Sequence, residues 1–364
     1  MKIGDICTYA PKSTIKAGDA VADGKYMFFT SSTDESKRYN DYQLDCEGII
    51  MGTGGNATLH YYCGKFSTST DCVVLLPNSN IRCKYLYYFF LCHMPALENG
   101  FKGAGLKHTN KNYINNIEIS HLPSIKMQDE TITVLDKVCE VIAYRQQQLQ
   151  KLDDLVKARF VEMFGDPENN SFDWKEQPLS KHLDVVGGFA FKSDQFVEEG
   201  IPVLRIGNIN AGYFKPVNMV FWDNDDNLKK YKLFPGDLVM SLTGTVGKDD
   251  YGNVCILGND YDEYYLNQRN AKLELKDSIN KYYISTLLKF ESIKKKLTGI
   301  SRGIRQANIS NKDILNLVVP IPNITTQIEF EQFVQQIDKS KFVVQQALDK
   351  AQLLFDSLMQ QYFG

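Results

Sequence analysis

The stretch PSIKMQDETITVLDKVCEVIAYRQQQLQKLDDLVKARFVEMFG, Pro123–Gly165, occurs twice in this chain. Shifted by 199 positions and without a gap, it falls on Pro322–Gly364, with 11 of the 43 aligned residues identical. The identities include Gln128/Gln327, Glu130/Glu329, Leu149/Leu348, Leu155/Leu354 and the closing pairs Phe164/Phe363 and Gly165/Gly364. Many other positions keep their apolar character, as in Leu135/Val334, Val138/Ile337 and Val156/Phe355. A match at one fixed period marks a duplicated unit. The chain is therefore a tandem repeat in which each copy ends in one long helix.

Periodicity supports helix in both copies. Leu135, Ile142, Leu149, Val156 and Met163 recur every seven residues, with Val138 and Leu152 interleaved, which is a heptad seam. In the second copy the seam reads Val334, Ile337, Lys341, Val344, Leu348, Ala351, Phe355, Leu358 and Tyr362. A helix of about 37 residues would span roughly 55 Å, too long to bury its stripe on a small domain. The natural partner for each helix is the other. Two charges depart from the seam: Arg145, which corresponds to Val344, and Lys341, which replaces Ile142. They sit at the edge of the coil, fix the register of the pair or touch a partner protein. Gly165 suits a left-handed C-terminal cap, and Pro167 blocks continuation. Thr326 with Glu329 reads as a capping box for the second helix, a signal the first copy lacks because Met127 stands there.

The expected organisation is a domain over residues 1–123, a helix over 124–166, a second domain over 167–322 and a second helix over 323–364. The two globular regions repeat one plan in different letters. PGDLVMSLTGTVGK (Pro235–Lys248) answers CEGIIMGTGGN (Cys46–Asn56), and Asn280–Leu288 answers Arg82–Phe90. In the closing loops, Gly303–Asn308 answers Gly105–Asn110 at an offset of 198. In the first region, Val21–Thr30 and Gly48–Thr53 read as strands. A glycine-rich loop, an aromatic hairpin and a buried strand ending at Pro77 follow, then a helix over Cys83–His93 stopped by Pro95.

An apolar fraction of 43% with 12% aromatics describes a globular protein with ample core. No apolar run approaches the roughly 18 residues of a membrane span, and MKIGDICTYAPK has no signal-peptide core. A cytoplasmic location is expected. The eight cysteines form no C-x-x-C pair, and the spacing of Cys63, Cys72, Cys83 and Cys92 is not that of zinc ligands, so free thiols are expected. Net charge is -3, yet Lys281–Lys312 holds eight Lys/Arg against the single acid Glu291, and Arg82–Asn112 holds five against Glu98. Such segregation gives a basic face on a near-neutral molecule, compatible with nucleic acid or with simple solvation.

Catalytic patterns are weak. Thr243–Lys248 resembles the end of a phosphate-binding loop, but Leu242 stands where a glycine belongs and Asp249 replaces Ser/Thr. Asp262 with Glu274 and Lys276 has the bare outline of a metal-dependent nuclease, but a strand with solvent-facing charge explains it better. The histidines form no triad or metal pair. DNA reading is better supported, because base edges take Arg, Lys, Asn, Gln, Ser and Thr on ordered loops while phosphates take Lys and Arg. The candidates are Thr53, Asn56, Lys65, Ser67 and Thr68 in the first region. In the second they are Arg205, Asn208, Asn210, Thr243, Gln268, Arg269 and Asn270. Lys107, Lys248, Arg302 and Arg305 suit phosphate.

GDLVMSLTGTVGK, the loop GIRQAN before an Ile-Pro, and a long helix opening P-x-x-x-x-Q-x-E and closing LDDLVKARFVEMFGDP resemble the specificity subunit of type I restriction–modification systems. GTGGN, CGKFSTSTD and the N-terminal GDI look like the same family's first target-recognition domain. The resemblance covers essentially the whole chain and rests on the duplicated order rather than on one motif. It implies an α+β protein of two globular mixed α/β target-recognition domains separated by an antiparallel two-helix coiled coil, related by a pseudo-two-fold axis. It further implies that each domain reads half of a bipartite double-stranded DNA target and that the helices set the spacer. Half-sites one turn of duplex apart lie roughly 34–36 Å from each other, a length a helix pair can measure. Leu135, Ile142, Arg145, Leu149, Val156, Lys341, Val344, Leu348 and Phe355 would form the coil and the docking surface for two methyltransferase subunits, with restriction subunits joining the full complex. S-adenosylmethionine, ATP and Mg would belong to those partners. No cofactor, metal or catalytic residue is expected in this chain. A stand-alone nuclease and a DNA-binding scaffold outside restriction are the rival readings.

Overall fold

The computed structural model describes residues 1–364 apart from 104–106, 211, 246–249 and 300–305, and gives only the backbone of Gln306. The chain forms two compact units: Met1–Gln147 with Gln345–Gly364, and Gln148–Val344. Each unit thus holds one globular region and one half of each long helix.

In the first unit a short helix α1 (Ile3–Ile6) leads into strands β1 (Cys7–Tyr9), β2 (Tyr26–Phe29), β3 (Arg38–Tyr39), β4 (Leu44–Gly52), β5 (Leu59–Thr68) and β6 (Cys72–Pro77). They form one sheet in the order β1-β6-β4-β5-β2-β3, with β2–β5 parallel and the other pairs antiparallel. Helices α2 (Cys83–Cys92), α3 (Met94–Glu98) and α4 (Lys111–Asn115) follow, and then the long helix α5 (Ile125–Phe164). Side chains alternate across β4 with the two-residue period of a strand. Ile49 and Met51 enter the core shared with α2, Leu135 of α5 and Met359 and Phe363 of the second long helix. Ile50 faces the other side, with Phe29, Phe66 and Val74. The segment expected as an aromatic hairpin is the single ten-residue strand β5, whose antiparallel partner is β4 and whose parallel partner is β2. Pro95 lies in the first turn of α3, where its missing N–H costs no helical bond.

The second unit is built from β7 (Glu176–Pro178), β8 (Leu183–Gly187), β9 (Ile201–Leu204), β10 (Val220–Trp222), β11 (Lys232–Leu233), β12 (Leu238–Ser241), β13 (Thr243–Thr245), β14 (Val254–Ile256), β15 (Tyr264–Leu266) and β16 (Asn270–Leu275). After these come α6 (Lys281–Leu287), α7 (Glu291–Thr298), β17 (Gln306–Asn308), α8 (Asn311–Asn316), β18 (Val318–Pro320) and the second long helix α9 (Ile324–Phe363). Two four-stranded sheets, β10-β9-β15-β11 and β14-β12-β16-β8, replace the single six-stranded sheet. The central device is kept. Leu238 and Met240 of β12 face the helical core with Val156, Phe160 and Phe330, while Val239 faces the opposite cluster with Cys255 and Tyr264.

Both long helices have 40 residues. In the second unit their halves run antiparallel, since rising numbers on α5 meet falling numbers on α9. Asp153 contacts Lys341 at 2.6 Å, the Arg159 guanidinium stands 5.8 Å from the Phe333 ring, and Phe160 packs edge-on to Phe330. The expected seam is buried or half-buried throughout: Leu135, Val156, Val334, Ile337 and Ala351 are buried, and Ile142, Leu149, Val344, Leu348 and Phe355 are half-buried. Gly165 has φ +81 and donates its N–H to Val161, the left-handed end expected of it. The start signals differ from expectation. The second helix begins at Ile324, so Thr326 lies inside it and is not the cap. Asn323 is: its Oδ1 accepts the Thr326 N–H at 3.0 Å. Ser124, at the same place in the first copy, accepts the Met127 N–H at 3.4 Å, so both copies carry the signal.

One contact is repeated across both units. Gln128 and Gln327 are fully buried. Gln128 accepts the Arg82 N–H at the start of α2 (2.8 Å) and donates to the carbonyls of Pro123 (2.9 Å) and Asn80 (3.2 Å). Gln327 accepts the Asn280 N–H at the start of α6 (2.8 Å) and donates to Pro322 (2.8 Å). Three residues further on, Tyr85 packs on Phe363 and Tyr283 on Phe164, with ring centroids 5.0 and 4.9 Å apart.

Of the two seam charges, Lys341 is an interhelical partner of Asp153. Its side chain is 26% exposed and that of Asp153 55%, so solvent screens the pair. A double-mutant cycle with Lys341→Gln and Asp153→Asn, read by denaturant unfolding, is expected to give a coupling of about 0.5–1 kcal/mol. Zero coupling would show that Lys341 takes no part in the pairing.

Candidate nucleic-acid interface

After the central strand of each globular region the chain turns outward, and that turn is pinned by the loop that closes the region. In the first unit, Gly52 ends β4 where no side chain fits, because an added Cβ would lie 2.3 Å from Thr58 Oγ1. Beyond it, Thr53 accepts the Thr109 N–H (3.0 Å), Gly54 forms a bridge with His108, and Gly55 donates to the Lys107 carbonyl (2.9 Å). Lys102 and His108 exchange both backbone bonds at 3.0 Å. In the second unit, Leu242 accepts the Ile309 N–H (2.8 Å), and β13 pairs with β17 from Thr243↔Asn308 to Thr245↔Gln306. The two regions therefore carry the same antiparallel ribbon.

The ribbon also sets the correspondence between the closing loops. His108 pairs with Gly54 as Asn308 pairs with Thr243, and Asn110 caps α4 as Ser310 caps α8. Both relations run at an offset of 200, which corrects the expected 198. The Asn110/Asn308 identity misled because Asn and Ser are interchangeable as N-caps.

The expected reading residues divide into two groups. Asn56 and Lys107 are exposed on the first ribbon, beside Lys102 and His108, two exposed polar residues that the sequence did not single out. The bridge pairing, invisible in one dimension, sets His108 against Gly54 and Lys102 against His108. Thr53 is half-buried there, its hydroxyl bonded to the Asp71 carbonyl at 3.0 Å. Lys65 is exposed at the far end of the β4–β5 ladder, with its ammonium 4.6 Å from the Tyr42 ring. Ser67 and Thr68 are buried. The Ser67 hydroxyl donates to the Asp41 carbonyl and accepts the Gln43 N–H, so it shapes the fold.

In the second unit, Gln268 and Arg269 are exposed on the turn before β16. The Arg269 carbonyl accepts the Leu242 N–H at 2.8 Å, which sets this turn beside Thr243. Asn270 is buried and donates to the Leu204 carbonyl at 2.7 Å, which brings Arg205 to the same edge. Arg205 is half-buried, with its guanidinium donating to the Asn218 carbonyl. Asn208 is 2% exposed and fully spent: it accepts the Arg205 N–H and donates to the carbonyls of Lys215 and Val217, each at 3.0 Å. Asn210 is half-buried, and its Oδ1, like Thr243 Oγ1, is buried without a partner among the described residues. Lys248, Arg302 and Arg305 lie outside the described residues.

The catalytic alternatives find no geometry. Glu274 is half-exposed and pairs with Lys272 at 3.5 Å, while Lys276 pairs with Asp184 at 3.4 Å. Asp262 precedes β15, which belongs to a different sheet from the β16 strand that carries Glu274. Among the described residues no group of three or more His, Cys, Asp or Glu could hold a metal ion. The eight cysteines are free, and burial pushes the Cys7 and Cys255 thiols up to about 12, far from a reactive thiolate. No helix among the described residues is long and apolar enough to cross a membrane.

Known proteins match this chain along most of its length. A family model described as the type I restriction modification DNA specificity domain matches residues 1–154 and 172–350. The type I restriction enzyme MjaVIII specificity subunit of Methanocaldococcus jannaschii is 27% identical over 315 residues, covering 80% of this chain and 72% of that protein. The EcoDI specificity subunit of Escherichia coli is 23% identical over 143 residues, 39% of this chain and 32% of that protein. The crystal structure of a type I restriction–modification S subunit from M. genitalium superposes with a TM-score of 0.60 at 16% identity, covering 100% of this chain and 95% of that one. The last shows a common fold.

The split between structural and outward-facing asparagines is measurable. Asn208→Ala removes the acceptor of the Arg205 N–H, the donor to the Val217 carbonyl and one of two donors to the Lys215 carbonyl, and is expected to destabilise the second unit by about 1–3 kcal/mol. Asn56→Ala is expected to change stability by less than about 0.5 kcal/mol. Thermal or denaturant unfolding of the two variants checks both, and equal effects would contradict the assignment.

Proposed function

The chain belongs to the type I restriction–modification DNA specificity family, and from that membership we propose that its two ribbons are the elements that read DNA, each serving one half of a bipartite target. The protein is the sequence-recognition subunit of a type I restriction–modification complex. The observation that carries the proposal is the repeated ribbon: one backbone pairing occurs in both domains but displays different side chains. A duplicated scaffold of that kind can address two unrelated half-sites. In the first domain, Asn56, Lys102, Lys107 and His108 face the duplex. In the second, Arg205, Gln268, Arg269 and Asn308 do so. Arg and Lys suit guanine edges or phosphates, and Asn and Gln suit adenine. Ser67, Thr68, Asn208 and Asn270 hold the reading surfaces in shape.

The paired long helices serve as the spacer ruler, and their outward surface receives two methyltransferase subunits. Methyl transfer, with its S-adenosylmethionine, and DNA translocation and cleavage, with ATP and Mg, belong to those and to restriction subunits. This chain binds and positions without making or breaking a bond. Its own residues support that division, since in the nearest nuclease-like set Glu274 and Lys276 are engaged in ion pairs and Asp262 precedes a strand of another sheet.

Exchanging residues 1–122 for the matching region of another family member, co-expressed with the methyltransferase, is expected to change one half of the methylated motif and leave the other. Methylation-sensitive sequencing reads the result, and a change in both halves would refute separate readers. Replacing Lys102 and Lys107 together by Ala is expected to weaken DNA binding by the assembled complex and to lower the slope of log K against log salt by about 2. Titrations at several salt concentrations measure the slope, and an unchanged one would take these lysines off the phosphates.

A further inference from the structure

We infer that Gln128 and Gln327 are positioning residues for spacer discrimination, each fixing the angle between a reading domain and its long helix. The inference rests on the proposed division of the chain into two readers and a ruler.

Each reading domain meets its helices through apolar packing, which is non-directional and tolerates small rotations, and through partly exposed polar pairs such as Arg82–Asp129 and Lys84–Asp136, which solvent screens. The buried amide is different. Gln128 takes the Arg82 N–H and gives both of its hydrogens, to Pro123 and Asn80, so it ties the first turn of α2 to the first turn of α5. Gln327 makes the corresponding tie between α6 and α9. Both side chains are fully buried, where a bond lost is not replaced by water.

The lever arm is the same in both units. In the first, β6 runs from the ribbon, where Asp71 accepts the Thr53 N–H at 2.7 Å, to the clamp at Asn80–Arg82. In the second, β16 runs from Arg269, which accepts the Leu242 N–H, to the clamp at Asn280. Each strand has six residues, a length of roughly 20 Å. A tilt of about 10° at the clamp therefore moves the ribbon by roughly the 3.4 Å that separates successive base pairs. Loosening either glutamine should let its domain reach a half-site one base pair nearer or farther while the ribbon, and so the bases it prefers, stays intact.

The test uses the complex of this chain with its methyltransferase on duplexes carrying the target with its native spacer, or a spacer one base pair shorter or longer. Gln128→Glu and Gln327→Glu keep an acceptor for the α2 or α6 N–H but replace the two N–H donors by at most one O–H. Each is expected to raise methylation of the altered spacers relative to the native one by about tenfold, with half-site preferences unchanged. Ile50→Val, in the core on the far side of the first sheet, serves as a destabilised control and is expected to keep wild-type discrimination. The inference is overturned if both folded glutamine variants discriminate spacers as the wild type does, or if Ile50→Val broadens tolerance equally. A wild-type complex indifferent to spacer length would instead remove the ruler reading itself.

Discussion

At the root of each globular region the same buried carboxamide joins it to a long helix. Gln128 and Gln327 each join a short helix of a globular region to the start of a 40-residue helix. An amide can do this because it offers an acceptor and two donors in one plane. Here the acceptor meets an N–H at a helix start, where such donors have no intrahelical partner. A leucine would fill the space but orient nothing, and a charged side chain would cost its desolvation. The aromatic contacts Tyr85–Phe363 and Tyr283–Phe164 lie three residues along the same short helices. Orientation is thus set by hydrogen bonds and seating by apolar area.

Around that fixed frame the globular regions have diverged in a physically permissive way. One uses a single six-stranded sheet and the other two sheets of four. What both retain is a central strand with strict alternation, one face toward the helices and the other toward a second cluster. Both also retain the outward ribbon that follows that strand. A ribbon held by backbone bonds constrains its side chains little, so its letters can change without disturbing the pairing. Function that must vary between proteins is well placed on such an element.

The helices were legible in the sequence because a heptad repeated over tens of residues has few competing explanations. The identity of Gln128 and Gln327 was equally visible, but their role was not: their backbone partners at Arg82 and Asn280 lie 46 and 47 residues away. The same holds for the ribbon, whose strands are too short for periodicity to show and whose partners are distant. Residue type suggests which side chains could read bases, but type does not report burial. Ser67 and Asn208 have the chemistry of base readers but spend it on backbone groups, whereas Lys102 and His108 gained their place only when the chain closed. The caps were harder to read than the helices, since Ser124 and Asn323 each stand between a proline and an isoleucine, and Thr326 offers the same chemistry three residues on.

The division of each long helix between the two units has a consequence for how the protein is made. The first domain shares its core with Phe355, Met359 and Phe363 as well as with Leu135. Those residues are synthesised more than two hundred positions after its last strand. On the ribosome the first domain must wait, with part of its apolar surface uncovered, until residues 345–364 emerge, although the second, contained within Gln148–Val344, can close earlier. High contact order is thus concentrated in the domain that is translated first. Loss of the last twenty residues of the chain would be felt near its beginning.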